Sequence, residues 1–97
     1  MYLVRDVFKA KPGEAKRLVE IFQEASPHLL DHGAKNIRIL TDVVSNFWTV
    51  VWEFEIEEIN EYFEMSKNVA SNSKVFNSLE GYKDYILEGH REVFRIE

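Results

Sequence analysis

The chain has 97 residues, of which 45% are hydrophobic and 30% charged, with a formal net charge of −5. That length makes residues 1–97 one domain with one core, and the balance of apolar to charged residues excludes a disordered or fibrous chain. An acidic chain with no basic stripe is poorly suited to nucleic acid or anionic membranes, and the absence of cysteine excludes disulfides, thiolate metal ligands and a Cys nucleophile.

Tyr2 to Ala10 is rich in β-branched and aromatic residues and stops at Pro12-Gly13, which predicts a strand and a turn. Ala15, Leu18, Val19, Phe22, Ala25 and Leu29 then recur at three- and four-residue steps, one face of a helix. Pro27 should kink that helix or start a new turn, and Gly33 supplies a left-handed cap. Ile37 to Val44 is the second expected strand, and Ser45-Asn46 a tight hairpin turn. Phe47 to Ile56 is the third, with Trp48, Val50, Trp52 and Phe54 on one face and Phe47, Thr49, Val51, Glu53 and Glu55 on the other.

Helical spacing returns with Ile59, Tyr62, Phe63 and Val69, behind Glu57, Glu58 and Glu61 at the positive end of the dipole. Ser71-Asn72-Ser73 suggests a fresh N-cap; Val75, Phe76, Leu79, Tyr82 and Ile86 continue the period, with a possible break at Gly81, until Gly89. Glu92 to Glu97 alternates as a last strand.

The order βαββαβ predicts a ferredoxin-like α+β fold: a four-stranded antiparallel sheet in the order 4-1-3-2 with both helices on one face. Trp48, Trp52 and Phe54 should face the helices, each large side chain contributing roughly 1.5–3 kcal/mol when buried. The opposite face then mixes apolar and charged residues. On the first strand either Leu3, Arg5 and Val7 or Tyr2, Val4, Asp6 and Phe8 lie there, and the pattern does not choose. A half-apolar open face invites a cover, and a second copy needs only one self-complementary patch, so a homodimer is expected.

With the βαββαβ order, the Lys11-Pro12-Gly13 junction, the third strand Phe47-Trp48-Thr49-Val50-Val51-Trp52-Glu53 and the closing Glu92-Val93-Phe94-Arg95, the chain resembles the dimeric α/β-barrel superfamily. That superfamily includes antibiotic-biosynthesis-monooxygenase-like and NIPSNAP-like domains. The resemblance covers almost the whole chain and implies two sheets closing into a barrel, often with a small apolar ligand in the lumen or between sheet and helices. It does not carry haem degradation with it. The first strand has no Asn, both tryptophans lie on the third strand, and the second helical region has no His before His90. Nor does the first strand carry the His with which stress-responsive members begin.

Three groups of residues merit attention. Arg5, Glu53 and Arg95 come from three adjacent strands; clustered on the barrel side they would suit a carboxylate or enolate with Glu53 as general base, and a structural cross-strand ion pair is the plainer reading. Thr49, Tyr62 and Tyr82 are candidate ligand contacts, the tyrosines within an aromatic set that also holds Phe63, Phe76 and Tyr85. His28, Asp31 and His32 stand at i, i+3 and i+4, a metal-ligand spacing, but beside Pro27 and Gly33, so no metal is expected. The acidic run from Glu53 to Glu64 reads as a solvated surface. There is no Gly-rich phosphate loop and no G-x-S-x-G, and no cofactor is expected.

Arg5, Asp6, Lys9 and Lys11 fall too early for a signal-peptide apolar segment, and no apolar run could span a bilayer, so a cytoplasmic protein without membrane partner is expected. The reading is a small dimeric barrel that binds a small, partly apolar molecule. A cofactor-independent monooxygenase or isomerase and a non-catalytic assembly module remain alternatives. An RNA-recognition domain shares βαββαβ, but its third strand should place Lys or Arg and Gly beside the aromatics, and Phe47 to Phe54 has neither.

Overall fold

The computed structural model describes residues 1–71, 79 and 81–97, with side chains for all of these except 68–71. The elements are β1 (Tyr2–Ala10), α1 (Ala15–Leu30), β2 (Lys35–Thr41), β3 (Thr49–Ile56), α2 (Ile59–Ser71), a 3-10 turn (Tyr82–Tyr85) and β4 (Ile86–Arg95). The strands form one antiparallel sheet in the order β2-β3-β1-β4, the order expected from the two split β-α-β units. The Ser71-Asn72-Ser73 cap, Val75 and Phe76 lie outside the described residues.

The register decides the question left open on β1. Val4 pairs with Phe54, Asp6 with Trp52 and Phe8 with Val50, and Val4, Asp6, Val50, Trp52 and Phe54 are buried. These residues face the helices, so by alternation Leu3, Arg5 and Val7 take the open face. From α1, Leu18, Ile21, Phe22, Ala25 and Leu29 are buried against them. Phe22 stacks on Trp52, centroids 4.5 Å apart and planes 13° apart, and its ring also meets Phe8 at 5.2 Å. The Trp52 indole donates to Ser26 Oγ at 3.0 Å, and Ser26 in turn donates to the Phe22 carbonyl at 2.6 Å. One turn of α1 thus satisfies the polar atom of the largest core residue.

Four expectations are corrected. No new turn starts at Pro27, because α1 continues through it to Leu30. The β2–β3 connection is a seven-residue loop rather than a Ser45-Asn46 hairpin. Asp42 closes it by accepting from the Thr49 N–H at 2.9 Å and donating its own N–H to the Thr49 carbonyl at 3.2 Å. Trp48, at φ 65°, leaves the extended conformation, so Trp48 is 41% and Phe47 81% exposed, and neither joins the strand or the core. Lastly, the helical reading of Tyr82 to Gly89 holds only as the 3-10 turn over Tyr82–Tyr85 and gives way to strand from Ile86, where β4 pairs along nearly all of β1, from Ala10–Ile86 to Tyr2–Arg95. Gly89 does not end a helix. It lies opposite Phe8, where a Cβ would stand 2.7 Å from the Phe8 ring.

Candidate functional site

Among the described residues the two faces of the sheet each bury one carboxylate. On the helix-covered face it is Asp6, in mid-β1. β4 places Arg91 directly opposite, and the guanidinium grips Asp6 from Nε to Oδ1 at 2.5 Å and from Nη2 to Oδ2 at 3.1 Å. From α2, Tyr62 brings its hydroxyl to accept from Arg91 Nη1 at 2.6 Å. Asp6, as the first cause, and the Tyr62 hydroxyl hold Arg91 in its charged form well above the usual arginine range, against the smaller opposing effect of burial.

Beside this trio a cleft of about 190 Å³ opens between the sheet and α2. Leu29, Trp52, Phe54, Met65 and Leu79 wall it, and Asp6, Tyr62, Ser66 and Arg91 supply its polar groups. Apolar walls with a few convergent polar atoms are what small-molecule sites share. The volume is below the usual range for such sites, but an apolar cavity of about 150 Å³ accepts benzene.

On the open face the buried carboxylate is Glu53, 1% exposed although no helix covers it. Arg5 Nε donates to its Oε2 at 2.9 Å, and Arg38 Nη2 lies 2.5 Å from Oε1, which has no aligned hydrogen bond. Two half-exposed arginines lie over the carboxylate and take the place of a core. Glu92 stands opposite Arg5 on the other side, and Arg38 opposite Glu53. Read across β4, β1, β3 and β2, one row therefore runs Glu92, Arg5, Glu53, Arg38, alternating in sign.

Arg5 and Glu53 are thus together, but Arg95 is not with them. It lies opposite Tyr2, on the parity of the helix-covered face, and Arg38 stands where the second arginine was expected. The sequence carried Arg38 in plain view, but which β2 residue meets Glu53 depends on the irregular register between Lys35 and Arg38. The candidate ligand contacts do not share a site. Tyr62 lines the cleft, Tyr82 lies at a hollow beyond the Asp6–Arg91 pair, and Thr49 is in a groove at the sheet end with Val7, Lys9 and His90. The sequence pattern does not single out Asp6 and Arg91, which line one side of the cleft, as a pair. The signal available was an Asp inside an apolar strand, which is buried only if something pairs with it. Among the described residues no three His, Cys, Asp or Glu side chains are placed to hold a metal ion. His28 lies in α1, while His32 lies beyond its end, since α1 stops at Leu30 and Asp31 is its cap. Among the described residues no helix is long and apolar enough to cross a membrane.

No family model matches the chain, and no curated protein matches its sequence. Solved structures do match its fold. An uncharacterized NIPSNAP-domain protein from Burkholderia xenovorans superposes with a TM-score of 0.84 at 11% identity, over 100% of this chain and 95% of that one. A NIPSNAP-family protein of unknown function from Agrobacterium tumefaciens gives 0.84 at 9% identity, over 97% and 86%. A candidate antibiotic biosynthesis monooxygenase from Nitrosomonas europaea gives 0.78 at 10% identity, over 98% and 97%. The chain therefore has the ferredoxin-like α+β fold of NIPSNAP-domain and antibiotic-biosynthesis-monooxygenase-like proteins, over its whole length.

Proposed function

We propose that this protein is a homodimer that binds a small, partly apolar molecule in the cleft between the sheet and α2. The observation that carries the ligand is the cleft itself: apolar walls on Trp52, Phe54 and Met65, with Asp6, Arg91 and Tyr62 converging at one side. Among the described residues these side chains leave the space between sheet and α2 open.

The dimer rests on the open face. Leu40 and Phe94 are 40% and 48% exposed there, beside the alternating row. A row that runs − + − + has opposite signs at every place when read in reverse. A second copy turned about an axis along the strands would set each arginine against a carboxylate of the other, and the apolar residues beside the row would be covered. A catalytic version of the reading, a cofactor-independent monooxygenase or isomerase, draws on the monooxygenase-like neighbours. It would need a proton acceptor in the cleft, and Asp6 is held there by Arg91.

Sedimentation velocity at micromolar concentration tests the assembly. A particle of twice the 11.5 kDa chain mass is expected, and one of 11.5 kDa would refute the dimer. Native mass spectrometry of protein purified from cells tests the cleft. A retained small molecule that leaves on denaturation supports it, and ligand-free protein that also ignores a library of small apolar compounds counts against it.

A further inference from the structure

The cleft's polar side has a feature that narrows the ligand class. Arg91 carries five N–H donors. Nε and one proton of Nη2 serve Asp6, and one proton of Nη1 serves Tyr62. One donor on Nη1 and one on Nη2 have no acceptor among the described residues. Tyr62 accepts through its hydroxyl oxygen, and its own proton has no acceptor among the described residues. Arg91 and Tyr62 both line the cleft, so these donors lie within reach of a molecule bound there, while the charge is already balanced: Asp6 neutralises Arg91 within one bidentate pair. An anionic ligand would bring a second negative charge beside Asp6, to a guanidinium whose own charge Asp6 already balances, and would lay that charge against apolar walls. An uncharged acceptor incurs no such cost and meets the same donors.

We propose that the cleft selects an uncharged, mainly apolar molecule carrying a carbonyl oxygen, with that oxygen accepting from Arg91 and the Tyr62 hydroxyl and the apolar body lying on Trp52, Phe54 and Met65. The proposal rests on the reading of the cleft as a ligand site. Its volume of about 190 Å³ admits a single ring with a short substituent or a branched chain of similar bulk.

Three compounds of nearly one shape separate the possibilities: acetophenone (neutral, with a carbonyl), benzoate (anionic) and ethylbenzene (without an acceptor). Each is titrated into isotopically labelled protein by NMR, following the Trp52 indole resonance, with the loop residue Trp48 as an off-site control. The expected order is acetophenone tightest, with ethylbenzene weaker by about tenfold or more, since it forgoes one hydrogen bond from the Tyr62 hydroxyl and one from the charged Arg91. Benzoate binding as tightly as acetophenone, or ethylbenzene equalling it, overturns the proposal but leaves the cleft a ligand site. No movement of Trp52 with any of the three overturns both. Tyr62→Phe keeps the Asp6–Arg91 pair and should lose acetophenone affinity about threefold while ethylbenzene is unchanged; an equal loss for both compounds would mean that Tyr62 only shapes the wall.

Discussion

The two faces of one sheet solve the same problem in opposite ways. Asp6 and Glu53 lie on adjacent paired strands, one residue out of step, so alternation sends them to opposite sides. Both carboxylates are buried and both meet arginine. Asp6 sits among packed aromatics beneath two helices, and its single arginine closes one side of an otherwise apolar cleft. Glu53 has no helix above it, and two arginines from flanking strands shield it instead. The lesson is that burial of a charged group does not identify a core. On the covered face it marks a polar insertion into packed hydrocarbon. On the open face it marks a charge lattice, which is self-complementary and weakly hydrophobic.

If the covered face is the stabilising one, cutting into it should cost most. Phe22→Ala removes a ring that is 1% exposed and stacked on Trp52, and should destabilise by about 3–5 kcal/mol in urea denaturation. A loss below about 1 kcal/mol would mean that the two faces share the load. On the other side, Glu53→Gln keeps the shape but removes the centre of the alternating row. It should cost about 1–3 kcal/mol and shift sedimentation toward the single chain, without moving the Trp52 resonance in a ligand titration. Altered ligand binding with the dimer intact would join Glu53 to the cleft and dissolve the division between faces.

A smaller effect sharpens the comparison. Ser26→Ala leaves the Trp52 indole N–H without its acceptor and should cost about 1 kcal/mol. The Trp52 indole signal should also exchange faster with solvent deuterium, which a loss of helix propensity alone would not produce. Least of all should the rim of the open face matter. Lys35 and Glu57 are ion-paired but solvated. The contact holds Glu57 below the usual carboxylate range and Lys35 above the usual lysine range. What the pair contributes is present above the unfolded Glu pKa and lost as pH falls through the lowered folded value. At the alkaline end it is lost as pH rises through the raised value for Lys35. Glu57→Gln should leave the melting temperature within measurement error at neutral pH, since exposed pairs are worth little. A clear drop would show that the rim belongs to a buried interface.

The periodicities were enough for the strand order and for α1, because both follow from which residues recur and from the handedness of crossovers. Ala15 to Leu29 could only bury one stripe, and two β-α-β units could only interleave one way. Element ends were harder to read. Trp48 looks like a strand residue by type, yet its left-handed backbone ends the alternation, and Asp42 rather than Ser45-Asn46 closes the hairpin. Ile86 keeps helical spacing with Tyr82, yet β1 offers it an unpaired edge of nine residues, and from Ile86 on ladder hydrogen bonds outweigh that pattern.

The pairing of Arg5 with Glu53 was legible as a possibility from their mid-strand positions. The exchange of Arg95 for Arg38 was not, because a register shift of one residue moves a side chain to the other face, and no residue type announces it. What the sequence alone determined is the architecture, since hydrophobic period and crossover handedness are local and general. What only the tertiary structure decided is which charges meet and where the cleft lies, because Asp6, Tyr62 and Arg91 are far apart along the chain and only the strand register and the docking of α2 bring their atoms within reach.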